Sequence, residues 1–253
     1  MTGVAGGGAG IEVVELGKTF HPPGGLRDLF RGRLTRPPVQ ALEGVSFRMA
    51  PGEVVCVMGP NGAGKSTLLR ILSGLLMPSQ GRALVAGLDV TTHGLEFRRR
   101  VGFVVGDERS FHWPLSGRQN LEYFGALHGY APPEARRRAT ELLASTGLDE
   151  AADRPFRTYS RGMRQRLALA RGLLGAAEVL LLDEPTLGLD PVGARDLRNF
   201  LRDQIIRGGG RTAIVGTNDP GEARALGDRV LLFDHGRLLR EAVPQNLDAE
   251  LGL

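Results

Sequence analysis

The sequence is poor in the residues that build disulfide frameworks, membrane spans and base-stacking surfaces. It has one cysteine, Cys56, which excludes an internal disulfide. Because Cys56 sits in the apolar run Val54-Val55-Cys56-Val57-Met58, it reads as a core residue and not a nucleophile. No apolar run goes beyond about six residues, far short of the roughly 20 needed to cross a bilayer. Residues 1–10 lack both a basic start and an apolar stretch, so they read as a frayed tail and not as a secretory signal. Lysine is almost missing: of 32 Lys and Arg residues only Lys18 and Lys65 are lysines, and arginine supplies the net charge of +4. Aromatics make up 6% of the chain and do not interleave with basic blocks, so nucleic acid is not an expected partner. His112 has no second His or Cys at ligand spacing, which argues against a metal site there.

Glycine, by contrast, is abundant at 37 residues, and one glycine-rich stretch organises the rest. Gly59-Pro60-Asn61-Gly62-Ala63-Gly64-Lys65-Ser66-Thr67 fits G-x-x-x-x-G-K-[ST] without substitution. An apolar strand pattern precedes it and a helical pattern follows, as a phosphate-binding loop requires. Glycines let backbone N–H groups turn toward phosphate oxygens, the helix N-terminus adds partial positive charge, and Lys65 places a point charge near the outer phosphates. Ser66 is the residue expected on Mg²⁺.

A chain of 253 residues can build one substantial core with an inserted lobe, and no second independent domain is expected. Residues 11–16, 41–49, 54–58, 81–87 and 101–105 read as extended. Residues 21–38 hold four prolines and a basic segment, read either as a solvated loop or as a contact with anionic lipid or a membrane partner. From 116 to 158 the pattern is helical, with 119–127 and 133–146 as candidate helices. Strands resume at 179–182 and then alternate with helices at 191–206 and 222–226 and with strands at 212–215 and 229–233. Such alternation implies an α/β fold with a mostly parallel sheet covered on both faces.

The strand at 179–183 ends in Asp183-Glu184, so a buried strand delivers carboxylates to the sheet edge beside the phosphate loop. Asp183 can hold the metal through water, and Glu184 can orient or deprotonate an attacking water. Just upstream, Tyr159-Ser160-Arg161-Gly162-Met163 opens another helix. Together these segments resemble the ATP-binding cassette (ABC) family: residues 59–67 resemble Walker A, 159–163 the signature usually written L-S-G-G-Q, 179–184 Walker B, and Gly188-Leu189-Asp190 the D-loop.

That resemblance spans roughly residues 11–240. It implies a P-loop NTPase of the RecA-like type with an N-terminal antiparallel β layer and an inserted helical subdomain. The division drawn is a tail at 1–10 and one nucleotide-binding domain at 11–253. Within that domain, 11–105 and 167–240 form the core, 106–166 the lobe and 241–253 a short tail. The resemblance also implies ATP and Mg²⁺ as cofactors, and a dimer in which Ser160 and Gly162 of one chain meet the γ-phosphate held by the other, with Asp190 in the D-loop. Phe20 matches the aromatic that stacks on adenine, with a core phenylalanine after the first strand as the lesser alternative. Separate transmembrane permease subunits are implied as partners, on the cytoplasmic face of a membrane, and the wording of residues 106–117 is similar to exporter subunits. Phe111 and Trp113 are read equally as a socket for the membrane partner or as ordinary packing.

Two positions depart from the family pattern. Gly106 stands where the family usually places Gln, with Asp107 or Glu108 as substitutes if the loop is shifted. Asn218 stands where the family places His, and asparagine carries neither a proton nor a positive charge near neutral pH. Mg-ATP binding with slow hydrolysis is therefore expected, as is a heterodimer with a fully equipped partner as a variant. The competing class is a soluble cassette ATPase acting on nucleic acid or the ribosome, or an ATP-dependent regulatory module.

Overall fold

In the computed structural model, residues 10–21, 37–91, 94–105 and 110–247 are described. The expectations for the terminal tail, the body of the proline-rich excursion, Gly106 to Glu108 and the last six residues fall outside them. The first two strands, Ile11–Phe20 (β1) and Val39–Met49 (β2), pair antiparallel with Phe20 opposite Val39. The first strand thus runs four residues beyond its predicted end. The chain then leaves this layer through Val54–Met58 (β3) and the helix Lys65–Leu72 (α1). It returns for Gln80–Val85 (β4) and Leu88–Asp89 (β5), which complete a four-stranded antiparallel sheet ordered β2-β1-β4-β5.

A short helix, Leu95–Arg100 (α2), leads into Val101–Val105 (β6). The helical insert follows as Gly117–Leu127 (α3), Pro132–Ser145 (α4) and Arg161–Gly172 (α5), the helix that opens with the signature-like turn. Ser116 and Gln119 start α3 with a reciprocal capping box, and proline opens α4 where its missing N–H costs nothing.

The remaining elements are Val179–Asp183 (β7), Pro191–Phe200 (α6), Thr212–Thr217 (β8), Pro220–Leu226 (α7), Arg229–Asp234 (β9) and Arg237–Ala242 (β10). The predicted helix at 191–206 changes after Phe200 to π-helical winding over Leu201–Arg207. The last strand was not predicted, and the boundary drawn at 240/241 falls inside it. Strands of the second sheet lie in the order β10-β9-β3-β8-β7-β6, parallel except for the β9/β10 hairpin.

Side-chain alternation on buried strands feeds two cores. Val54, Cys56 and Met58 of β3 face α7 in the core that also holds the helical insert, whereas Val55 and Val57 share the core of α1 and the antiparallel layer. In β7, Leu180 and Leu182 take the first side, and Val179 and Leu181 take the second. Each such leucine contributes about 1.5–3 kcal/mol by leaving water. Cys56 is fully buried, as its setting predicts, and burial raises its thiol pKa and keeps it unreactive. Among the described residues, no helix is long and apolar enough to cross a membrane.

Candidate functional site

Strand parity decides where the first carboxylate points. Asp183 follows Val179 and Leu181 in step, so it faces the side covered by α1, and there the Ser66 hydroxyl donates to its Oδ1 at 3.0 Å. Asp183 is buried, and burial raises its pKa against the opposing pull of the Ser66 hydrogen bond and the Arg70 and Lys65 charges. A carboxylate and a hydroxyl converging in a desolvated corner suit a hard, oxygen-seeking cation.

The loop above this pair is held by contacts that only glycine permits. Gly64 has φ 102°, and a Cβ there would stand 2.6 Å from the Ala41 carbonyl oxygen of β2. At Gly59 a Cβ would collide with the Phe233 carbonyl of β9. Lys65 is buried and its ammonium donates to the Gly59 and Pro60 carbonyls at 2.6 and 3.1 Å. Pro60 also accepts from the Ala63 N–H at 3.1 Å, while Asn61 and Gly62 form the exposed crest and Thr67 the first turn of α1.

Phe20 lies two residues along β1 from Lys18, the partner of Leu42, and the Leu42 side chain abuts Gly64. The ring is 38% exposed with the Lys18 ammonium 5.2 Å from its centroid, so it is a surface aromatic near the loop and not a core residue.

Glu184 leaves the sheet with φ 49°, and its N–H donates to the Gly216 carbonyl at 2.8 Å. This bond fastens it beside the loop that carries Asn218. Both line a cleft of about 350 Å³ together with Thr186, Thr217, Arg198 and Glu222. Asn218 is exposed and also borders a second hollow of about 710 Å³ against Gly59 and Pro60. The asparagine therefore stands between the acid and the phosphate loop.

Ser160 and Gly162 are not brought to this place: neither lines those clefts. Ser160 caps α5, its Oγ accepting from the Met163 N–H at 3.3 Å, and a Cβ on Gly162 would meet nothing within 4 Å. Asp190 caps α6, accepting from the Gly193 and Val192 N–H groups at 3.0 and 3.1 Å, which holds its carboxyl below the usual range. Of the paired aromatics, Phe111 is buried and stacks on Phe156 at 4.8 Å, whereas Trp113 remains 43% exposed with the Arg164 guanidinium 4.8 Å from its ring. Packing thus accounts for the first and leaves the second on the surface.

A sequence profile of the ABC transporter family matches residues 42–187, more than half of the chain. This chain belongs to the ABC transporter family. It is 45% identical over 213 residues to the daunorubicin resistance ATP-binding protein DrrA3 of Streptomyces coeruleorubidus, covering 84% of this chain and 66% of that protein. It is 41% identical over 208 residues to the cobalt import ATP-binding protein CbiO of Rhodobacter capsulatus, covering 80% and 73%. The fold superposes with a TM-score of 0.77 on a dimeric ATP-binding cassette in a post-hydrolysis state bound to ADP and Pi, at 26% identity over 92% of this chain and 98% of that one. The cassette spans just under two thirds of the length of the drug-resistance relative.

Sequence reasoning missed the buried Glu222 and its neighbours Thr186, Thr217 and Arg198. They occur as isolated polar residues in short elements, and only the closure of β7, β8 and α7 around one cleft makes them a group.

Proposed function

We propose that this cassette is the ATP-binding subunit of an ABC exporter, coupling Mg-ATP binding and hydrolysis to transport by separate transmembrane subunits at the cytoplasmic face of a membrane. The observation that carries the reading is the Ser66–Asp183 contact beneath Lys65, with Glu184 one residue beyond it. Ser66 and Asp183 are the residues to hold Mg²⁺, which when bound neutralises charge on the outer phosphates. Lys65 supplies a fixed positive charge there, and the loop N–H groups orient the phosphate chain. Phe20 offers a face for the base.

Glu184 takes the proton of the attacking water. Asn218 donates one hydrogen bond toward the γ-phosphate but brings no charge. Ser160 and Gly162 present a helix N-terminus to nucleotide held by a second ATP-binding chain, identical or not, with Asp190 shaping the turn between them. If Gly106 and Asn218 each remove about 1.5–3 kcal/mol of transition-state stabilisation, turnover falls by roughly one to two decades per contact. The soluble alternative is not favoured, because the relatives carry names of resistance and import proteins. Export in preference to import rests on the greater identity to the resistance protein.

The deciding experiment is steady-state ATP turnover of the purified chain with Mg²⁺, with Glu184→Gln as the blank. Turnover above the blank supports a working engine. Tight ATP binding with turnover equal to the blank overturns self-sufficient hydrolysis and directs attention to a second, different ATP-binding chain.

A further inference from the structure

One ionisable group of the cleft has no task in the reading above. Glu222 stands on the first turn of α7 and is 1% exposed, yet it lines the same cleft as Glu184 and Asn218. Its Oε1 is buried without a hydrogen-bond partner, an arrangement that native proteins seldom keep without a use. Thr186 and Thr217 line the cleft with it, and their hydroxyls pull its pKa down against the effect of burial. These two threonines belong to different segments: Thr186 follows Glu184 by two residues, and Thr217 ends β8 directly before Asn218.

The second loop is itself well held. The Thr217 hydroxyl oxygen accepts from the Asp219 N–H at 3.0 Å, and Asp219 is paired with Arg198 of α6 at 2.8 Å. The Glu184 N–H already joins the two loops through the Gly216 carbonyl. Glu222 sits where a second tie between them would be made.

We propose that Glu222 is a positioning residue, its carboxyl bridging Thr186 and Thr217 so that Glu184 and Asn218 keep one spacing across the cleft. The inference rests on the reading of Glu184 and Asn218 as the groups that face the attacked phosphate. The electrostatics agree with a bridging acid. Burial raises the Glu222 pKa, helped by Asp219 and opposed by the two threonine hydroxyls and Arg198, and the other ionisable groups near it are Glu184 in the cleft and the Cys56 thiol behind. The carboxyl oxygens can accept from both threonine hydroxyls.

The bridge makes Glu222→Gln and Glu222→Ala behave differently, because the amide keeps one donor and one acceptor in place and alanine keeps neither. Amide hydrogen exchange of the full chain without nucleotide is the first measurement. The expected result is exchange at least tenfold faster in both 184–190 and 216–219 for Glu222→Ala, and within threefold of the parent for Glu222→Gln. Turnover should fall at least tenfold in kcat for Glu222→Ala with ATP affinity changed less than threefold, and Glu222→Gln should recover most of it.

Exchange changes confined to one loop, or a glutamine variant as impaired as the alanine variant, would overturn the bridge. Should Glu222→Ala fail to fold, Thr186→Val cuts one arm of the tie alone. Faster exchange in both loops supports the bridge, and a change limited to 184–190 overturns it. Since exchange is read without ATP, an absence of turnover in the parent chain would strike the proposed hydrolysis while the exchange data still judge the bridge.

Discussion

The phosphate loop and the signature turn both open helices, and they are built in opposite ways. The phosphate loop is completed within the chain: Gly64 abuts β2, Gly59 abuts β9, and Lys65 is buried against loop carbonyls. The signature turn is left open: Ser160 satisfies only its own helix, and Gly162 faces empty space. A loop clamped at its base by two strands holds its donors in place before binding, and preorganised donors lose little when charge arrives. The space beside Gly162 is open, and in the proposed dimer a second ATP-binding chain would fill it. On the proposed reading, one half of the nucleotide site is a property of the fold, and the other would be a property of an assembly.

The sharpest way to break this contrast is Gly64→Ala. The added methyl meets the Ala41 carbonyl at a φ hostile to alanine, so stability should drop by about 2–4 kcal/mol and ATP affinity at least a hundredfold, read by thermal melts and nucleotide titration. An unchanged melting point would mean that the loop is not clamped by β2. Next in size, Asn218→His supplies the missing cation-forming ring beside Glu184, and turnover should rise more than tenfold. An unchanged rate removes the asparagine as the cause of slow hydrolysis.

Gly162→Ala tests the open half. Its stability should stay within about 0.5 kcal/mol of the parent, since the added methyl meets nothing, while ATP-dependent self-association weakens about tenfold in sedimentation. Equal association would show that the turn does not meet the partner's nucleotide.

The smallest effect is a pH slope. The folded Glu222 pKa lies above the 4.5 of the free side chain, so the unfolded chain releases this proton first. Its share of stability is full below about 4.5 and is lost as pH rises through the folded value. Denaturant titrations across that window should show the decline, and Glu222→Gln should flatten it.

How much of this was legible in the sequence follows from how local each feature is. The buried strands and the phosphate loop announce themselves because continuous apolar runs and glycine spacing act within about ten residues. The last strand does not. Its residues Arg237 to Ala242 lack clean alternation because a register shift between Leu238 and Arg240 interrupts the pairing, and as an edge strand it is largely exposed. The π-helical stretch was invisible for another reason. Leu197, Leu201 and Ile205 recur at four-residue steps that signal a helix without saying how tightly it is wound. Phe111 and Trp113 look alike in sequence and both rings meet Phe156, 43 positions beyond Trp113, but Phe111 also packs on Phe124 of α3 and is buried while Trp113 stays exposed. Glu222 needed three elements to close before it became notable.

Trp113 has a practical consequence. It is the chain's one tryptophan, and the guanidinium over its ring belongs to Arg164 of α5, whose Nε also donates to the Tyr159 carbonyl at 2.9 Å, one residue before Ser160. Any tilt of that helix moves a cation relative to an indole half-open to water. The protein thus carries its own optical gauge, and ultraviolet emission can follow the signature turn in real time without a label.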